Sequence, residues 1–221
     1  MTHNFYQKTE REQSSILWKT IGALIITCGI ILLISVVTGF YLLLILLPVI
    51  ILIAAPFIDL PMGKKAGKFI YYSPLFIAEK ERDNKIVVHG GTLFDYFHTI
   101  HPGMNAGERR SYVLYGYLLG LSRLISEHEN QDKDNLRVRG TSYIINSKTA
   151  RRFGFKPVKT DVLQFFILLF NYIPITLSSS FIRRKLHFPN FSQIQTFEGE
   201  LNDLILHKNK LHQLKNRLEK N

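Results

Sequence analysis

The sequence TIGALIITCGIILLISVVTGFYLLLILLPVIILIAAPFI (residues 20–58) contains 39 consecutive residues without a charged side chain. One bilayer crossing needs about 20 apolar residues, because the hydrocarbon core is roughly 30 Å thick. The stretch therefore predicts two transmembrane helices, at residues 16–37 and 40–58, separated by Thr38-Gly39. Two helices joined by so short a turn form a hairpin whose two ends lie on the same side of the membrane.

The charges that flank this hairpin predict its orientation. The turn carries no charge, whereas both ends are basic: Lys8, Arg11 and Lys19 precede the hairpin, and Lys64, Lys65 and Lys68 follow it. Segments rich in Lys and Arg stay on the cytoplasmic side of a membrane. We therefore expect an integral protein of an inner or plasma membrane, with both termini and the main domain in the cytosol.

The expected fold is a membrane α-helical hairpin followed by a cytosolic α+β domain. The sequence divides into a cytosolic arm (1–15), the hairpin (16–58), a basic α+β domain (59–195) and an amphipathic C-terminal helix (196–221). Cys28 is the only cysteine and lies within the first predicted helix. The sequence therefore predicts neither an intramolecular disulfide nor a metal cluster built on thiolates.

Periodicity predicts the elements of the α+β domain. Apolar residues recur at helical spacing over residues 106–129, which indicates an amphipathic helix. Runs rich in β-branched and aromatic residues indicate strands at 136–145 and 153–158, with a short helix at 147–152 between them. Residues 130–135 are expected to form a polar loop. The aromatic segment 69–78 fits either a strand or a segment that grazes the membrane.

A second stretch without charge, residues 163–182, contains Gln164, Asn171, Pro174 and several serines. It is less apolar than the hairpin, and basic residues flank both of its ends. A membrane crossing places its positive charges on one side. We therefore expect a helix that lies in the membrane interface or is buried in the domain, with a third crossing as the alternative.

The segment IVVHGGTLFDYFHTIH (residues 86–101) concentrates groups that could transfer protons. Its β-branched and aromatic residues favour a strand, then a turn or bulge at Gly90-Gly91, then a second strand at 93–100. In a strand, Asp95 and His98 would point to opposite faces, so a metal cluster is not expected. The candidates for acid/base catalysis are His89, Asp95 and His98.

The order of elements around residues 93–158 resembles the second half of the GNAT acetyltransferase superfamily. The residues that carry the resemblance are a strand, a glycine-containing turn with the sequence MNAGER (104–109), a long helix, a strand, and then Asn146, Ala150 and Gly154-Phe155. The resemblance implies that the turn and the helix start hold the pyrophosphate of coenzyme A, with Gly107, Arg109 and Arg110 meeting phosphate. Coenzyme A is expected only if this implication holds, and no other cofactor is expected.

Positive charge outside the hairpin predicts an anionic partner. The segment from Asp59 onward has 25 basic and 15 acidic residues. Three clusters could converge on lipid headgroups or phosphate: Arg109-Arg110, Arg151-Arg152 and Arg183-Arg184-Lys185. A domain tethered to a membrane already faces anionic lipid, at about 1 kcal/mol per well-placed basic residue. We therefore expect lipid headgroups, and not nucleic acid, as the partner.

The tail places Phe197, Leu204, Leu211 and Leu218 seven residues apart, with Leu201 and Leu214 on the same stripe. This stripe indicates an amphipathic helix that packs on its own domain or takes part in self-association or in binding a partner helix.

Two functional hypotheses remain. The first is a non-enzymatic module at the membrane surface that binds anionic lipid or a protein partner. The second is a membrane-associated transferase, similar to an acyltransferase, that acts on a lipid-linked or acyl-coenzyme A substrate.

Overall fold

The computed structural model describes residues 1–129, 136–142, 145, 147–190 and 194–219. Its first part is a helical hairpin of α1 (Glu10–Thr38) and α2 (Leu46–Lys65), joined through a short 3₁₀ helix at Tyr41–Ile45. Gly39 ends α1 with a left-handed φ of 69°, which confirms the predicted break. Within the described residues, two helices are long and apolar enough to cross a membrane, and they are those of this hairpin.

Both hairpin helices extend beyond their predicted ends. The first begins at Glu10 because Thr9 and Glu12 form a reciprocal capping box, with the Thr9 amide donating to Glu12 Oε2 at 2.9 Å. The second continues beyond its predicted end at residue 58 to Lys65, and its last turns are buried at Leu60 and Gly63. The arm is therefore short, and the C-terminal end of α2 belongs to the folded domain.

The described residues of the domain form a six-stranded sheet with the strand order β1-β2-β3-β4-β6-β5. Strands β3 and β4 are parallel, and the other neighbours are antiparallel. The strands are β1 (Phe69–Ser73), β2 (Phe76–Glu79), β3 (Lys85–Gly90), β4 (Arg137–Ser142), β5 (Lys156–Val158) and β6 (Gln195–Glu200). The segment 69–78 thus forms most of two paired strands, which confirms the predicted strand.

Helices cover the sheet. They are α3 (Leu93–Thr99), α4 (Ala106–His128), α5 (Ser147–Arg152), α6 (Val162–Phe170), α7 (Tyr172–Arg183), α8 (Leu201–Leu206) and α9 (Lys208–Glu219). A parallel pair of strands requires a crossover, and α4 supplies it between β3 and β4. The predicted apolar face of α4 is buried, for example at Val113, Tyr117 and Leu121. Gly120 lets α4 approach β2 closely, since a Cβ there would lie 2.3 Å from Phe76 Cβ.

The prediction of a strand at residues 93–100 is wrong, because this segment is helix α3. Thr92 and Asp95 form a capping box in which the Thr92 amide donates to Asp95 Oδ2 at 2.7 Å. This cap starts a helix despite the β propensity of the aromatic residues that follow. Asp95 and His98 therefore lie one helical turn apart and do not point to opposite faces of a strand.

The predicted C-terminal helix at 196–221 begins too early. Residues 195–200 form β6, which pairs with β4 on one side and β5 on the other. The stripe then continues through two short helices, in which Leu204 and Leu211 are buried against the domain. Phe197 thus lies in a strand, and α9 packs along α4.

The predicted interfacial segment 163–182 consists of two helices, α6 and α7, bent by 63° at Asn171. At about 1.5 Å per residue, the nine residues of α6 alone are too short to cross a bilayer. Together with α7, however, they are long and apolar enough for one bent span or a re-entrant loop, so the interfacial position and the third crossing both stay predictions. Three parts of the predictions lie outside the described residues: the loop at 130–135, the end of the strand at 143–144, and Asn146 of the resemblance to the GNAT acetyltransferases.

Candidate functional site

The sheet parts at the carboxyl ends of its parallel strands. Strands β3 and β4 pair in register only as far as Val88 and Gly140. Beyond this point residues 89–90 of β3 remain paired with β2, whereas residues 141–142 of β4 remain paired with β6. The two halves of the sheet therefore separate here. In open sheets, ligands commonly bind beyond the carboxyl ends of parallel strands, where neighbouring connections diverge.

A cavity of about 660 Å³ occupies this gap. Successive residues 87–90 of β3 all line it. Because side chains alternate between the two faces of a strand, the cavity reaches both faces of the sheet through the gap. Most of its walls are apolar and come from α2, α4, α5, α6 and α7; they include Pro56, Leu60, Leu114, Leu118, Ala150, Phe153, Ile167, Leu168 and Ile175. Such a space suits a molecule with an apolar chain.

A carboxylate–histidine pair lies on the wall of the cavity. His89 Nε2 lies 2.7 Å from Glu79 Oε1, and both side chains are half exposed. The hydrogen bond to His89 holds the pKa of Glu79 below its ordinary value. Since Nε2 contacts the carboxylate, Nδ1 is the ring nitrogen that can exchange a proton with a ligand. His89 is therefore the predicted catalytic residue that lies in the cavity together with an acidic partner.

Arg139 connects the sheet to the start of α6. Its Nη2 donates to Asp161 Oδ2 at 3.1 Å, and its Nη1 lies 3.9 Å from Glu198 Oε2 on the neighbouring strand. Asp161 also caps α6 by accepting a hydrogen bond from the Gln164 amide at 2.7 Å. These contacts hold the first turn of α6 beside the cavity.

Helix α6 has two different faces. Gln164, Ile167, Leu168 and Asn171 follow one another at helical spacing and line the cavity. Apolar side chains on the rest of the helix are exposed, namely Val162, Leu163, Phe165, Phe166, Leu169 and Phe170, and Ile167 on the cavity face is also partly exposed. Exposed apolar patches of this kind are typical of surfaces that contact a membrane or another molecule.

Asp95 lies in a different, buried cluster. Its carboxylate is fully buried and accepts hydrogen bonds from the Thr92 amide and the Tyr71 hydroxyl, the latter at 3.0 Å. His3 Nε2 lies 3.3 Å from Asp95 Oδ1, and His3 Nδ1 is buried without a partner. The structure thus brings His3, and not His89, to Asp95. The N-terminal segment is a packed part of the domain.

His98 adjoins this cluster. Its ring stacks on His3 with the centroids 5.7 Å apart and the planes 12° apart, and its Nδ1 is bonded to Phe94 O at 2.9 Å. Burial lowers the pKa of His98 below its ordinary value. Burial, reinforced by the Asp95 carboxylate, raises the pKa of Tyr71. The cluster therefore favours a neutral histidine and a protonated tyrosine, as a structural network requires.

The free backbone amides at the start of α4 already donate hydrogen bonds to the helix's own cap. Asn105 Oδ1 accepts from the amides of Gly107 and Glu108, at 2.8 and 3.1 Å. The guanidinium of Arg109 is largely buried and donates to three carbonyls, those of Pro102, Met104 and Phe181. The residues expected to hold a pyrophosphate are therefore engaged with the protein, and in this arrangement they do not fit that group.

The predicted basic clusters come together only in part. Arg110 is exposed and bonds to Ala106 O within its own helix. Arg184 reaches the Met104 carbonyl at 3.3 Å, which brings it close to Arg109. Arg151 and Arg152 are exposed on α5, which packs on β5 and β6. Across the described residues, no group of three or more His, Cys, Asp or Glu side chains is arranged to hold a metal ion.

Two features of the site were missed from the sequence. The first is the participation of His3 and Tyr71 with Asp95, which long-range packing decides. The second is the polar strand end of β4, where residues 141–142 line the cavity. The pattern Thr92-x-x-Asp95, which is typical of a helix start, could have revealed helix α3 and with it the place of Asp95.

Comparison of the chain with protein-family models, with curated proteins and with solved structures finds no match.

Replacing Asp95 with alanine is expected to destabilise the protein strongly. The change leaves Tyr71, His3 and the Thr92 amide without their acceptor, at about 1–3 kcal/mol for each buried group left unpaired. Chemical denaturation of the full chain in detergent micelles measures this loss. The control is Asp203→Ala, which removes a surface pair with Lys156 and should cost at most about 1 kcal/mol. Equal losses in the two variants would contradict the role of Asp95.

Stability is expected to fall in mild acid, with a contribution from His98. Its pKa is lower in the folded protein than in the unfolded chain, where it is about 6.5, so the unfolded state binds the proton more readily. The contribution is present above pH about 6.5 and is lost as the pH falls through the folded pKa. His98→Gln should flatten the dependence of the unfolding free energy on pH, whereas His101→Gln, at an exposed position, should not. Identical slopes for His98→Gln and the unmodified chain would refute the assignment.

Proposed function

We propose that this chain is an integral membrane protein that binds a lipid or another molecule with an apolar chain at the bilayer surface. In this proposal α1 and α2 span the membrane, and the α+β domain lies against it. The observation that carries the proposal is the apolar cavity at the parted ends of β3 and β4, walled by a helix whose outer face is also apolar.

The distribution of charge supports a cytosolic domain. Lys8, Arg11 and Lys19 lie at one end of the hairpin and Lys64, Lys65 and Lys68 at the other, whereas the turn around Gly39 is uncharged. Positive residues remain on the cytoplasmic side of a membrane. Both termini and the domain are therefore assigned to the cytosolic side of an inner or plasma membrane.

The bilayer contact comes from α6 and from the segment after α7. Leu186 and Phe188 are 72% and 61% exposed, and they directly follow Arg183, Arg184 and Lys185. Exposed apolar side chains beside basic ones are typical of segments that insert shallowly among anionic headgroups. This arrangement supports the predicted preference for anionic lipid.

A lipid is favoured over a protein partner as the ligand of this domain. The stripe of the C-terminal helices, which could have bound a partner helix, is used inside the domain: Leu204 and Leu211 are each about 1% exposed. Self-association through the C-terminal helices remains a prediction. Helix α6 exposes more large apolar side chains than these helices do, and it lies next to the cavity.

A pair of neighbouring residues on α6 tests this proposal. Leu168→Trp fills the cavity from its α6 wall, whereas Leu169→Trp places the same ring on the exposed face. A diazirine-labelled fatty acid is cross-linked to the full chain in nanodiscs, and the labelled sites are mapped by mass spectrometry. Displacing two methylenes costs about 1.6 kcal/mol, at ~0.8 kcal/mol each. Labelling of the cavity walls should therefore fall more than tenfold in Leu168→Trp alone. The proposal fails if neither variant differs from the unmodified chain.

The Glu79–His89 pair favours a second candidate function, that of a transferase acting on an acyl group in the cavity. His89 Nδ1 accepts the proton of an attacking hydroxyl or amine as the new bond to the acyl carbon forms. The bond to the leaving group then breaks, and His89 returns the proton to that group. Glu79 stabilises the imidazolium through its 2.7 Å contact with Nε2.

The order of elements supports this candidate only in part. Strand β3, helices α3 and α4, strand β4, helix α5 and strand β5 follow one another, so helix α3 takes the place of the strand on which the resemblance to the second half of the GNAT acetyltransferases was based. Coenzyme A would supply an activated thioester, but Arg109 and the first turn of α4 do not fit its pyrophosphate. The acyl donor of this candidate is therefore assigned to the lipid-linked class.

The two candidates differ in their dependence on His89. In the transferase, His89→Gln should abolish acyl exchange between lipids in proteoliposomes while fatty-acid labelling of the cavity persists. The matched control is His101→Gln, which changes an exposed histidine outside the cavity. Transfer that survives in His89→Gln would refute the role of His89, and an unmodified chain that shows no transfer would leave lipid binding as the function.

A further inference from the structure

The cavity is bounded in part by a helix of the membrane hairpin. Pro56 and Leu60 of α2 line it, and residues four apart lie on the same face of a helix. They belong to the stretch Tyr41–Lys65, which is long and apolar enough to cross a membrane. One wall of the cavity is therefore the C-terminal part of a helix that is apolar enough to lie in the membrane.

Helix α6 forms the neighbouring wall, and it is a single helix thick. Gln164 and Leu168 face the cavity, whereas Leu163 and Phe166 on the other side are exposed. The helix has an apolar face both inside and outside. A molecule with an apolar chain therefore meets little polar surface when it passes along the edge of this wall.

Helix α7 holds these two walls apart. Both α2 and α6 pack against α7, which thus connects them at one end of the cavity. Pro174 and Ile175 of α7 continue the lining between the two walls. The edge of the cavity between α2 and α6 therefore lies where the hairpin meets the domain.

The water-facing side of the cavity offers less to a soluble acyl carrier. Along the sheet, Arg139 is already paired with Asp161 and Glu198, and Lys85 also lines the cavity. The guanidinium of Arg109 donates hydrogen bonds to backbone carbonyls. A phosphorylated carrier arriving from water would therefore meet two arginines that are engaged with carboxylates or carbonyls, which weakens their attraction for its charge.

We propose that the ligand is a membrane lipid, and that its acyl chain enters the cavity sideways from the bilayer between α2 and α6. This inference rests on the proposed binding of an apolar chain and specifies the source of that chain. The headgroup stays at the interface while the chain reaches through the gap toward the α5 wall, formed by Thr149, Ala150 and Phe153.

The test uses the full chain in nanodiscs whose phospholipids carry a diazirine on one acyl chain. After irradiation, mass spectrometry maps cross-links to the α5 wall, which lies inside the cavity. Pro56→Trp narrows the entry from the α2 side, and Gln164→Trp narrows it from the α6 side. The matched control is Ile51→Trp, at an exposed position on the same helix as Pro56. Near-UV circular dichroism establishes which variants are folded. If only one of the two entry variants folds, that variant alone is sufficient to test the route.

The expected result is labelling of the α5 wall from the bilayer, reduced several-fold in the entry variants and unchanged in Ile51→Trp. Labelling that persists in a folded entry variant refutes the route between α2 and α6. A parallel sample receives a photoreactive acyl-coenzyme A from water. If only this soluble probe labels the α5 wall, the source of the chain is wrong, although the proposed function stands. If neither probe labels it, both proposals fail together.

Discussion

Main-chain pairing between β3 and β4 is the constraint on which the rest of the domain depends. The two parallel strands are held together as far as Val88 and Gly140, and then each follows its antiparallel neighbour. Where the two strands diverge, their facing edges no longer pair with each other, and a gap opens between them. The cavity lies at this gap with His89 on its wall, and the helices around it form the walls of the proposed ligand site.

Helix α6 covers the gap between β3 and β4. A short helix with so many apolar side chains would be unstable in water, but here one face covers the cavity and the other remains available to a bilayer. The ion pair of Arg139 with Asp161 ties its first turn to the sheet. The 63° bend at Asn171 then directs α7 back into the core. The same helix therefore closes the cavity and forms the surface proposed to lie on the membrane.

The buried carboxylate of Asp95 connects the hairpin to this domain. Through His3, Tyr71 and Thr92 it joins the N-terminal segment, the first strand and α3. A buried charge without such partners would be costly, so the network favours one arrangement of these three elements. This coupling keeps the start of α1 close to the end of α2, where Lys64 lies 3.5 Å from the centre of the Tyr6 ring.

Elements with a strong local signal could be predicted from the sequence. The apolar hairpin and the long helix α4 are governed by hydrophobic run length and periodicity within a single segment. The predictions of secondary structure were wrong where a second local signal, or pairing with a distant strand, outweighed the propensity of the segment. The cap formed by Thr92 and Asp95 turned an expected strand into α3, and pairing with β4 and β5 turned the start of an expected helix into β6.

The candidate site divides in the same way. His89 could be selected from the sequence because histidine beside a glycine pair at a strand end is chemically suggestive, but its partner Glu79 lies on another strand. Asp95 was also selected, yet tertiary packing placed it in a structural network instead of the cavity. Local chemistry thus determined which regions are apolar, helical or ionisable. Only the tertiary structure decided where the sheet parts and which groups meet there, because strand pairing and burial depend on residues far apart in the chain.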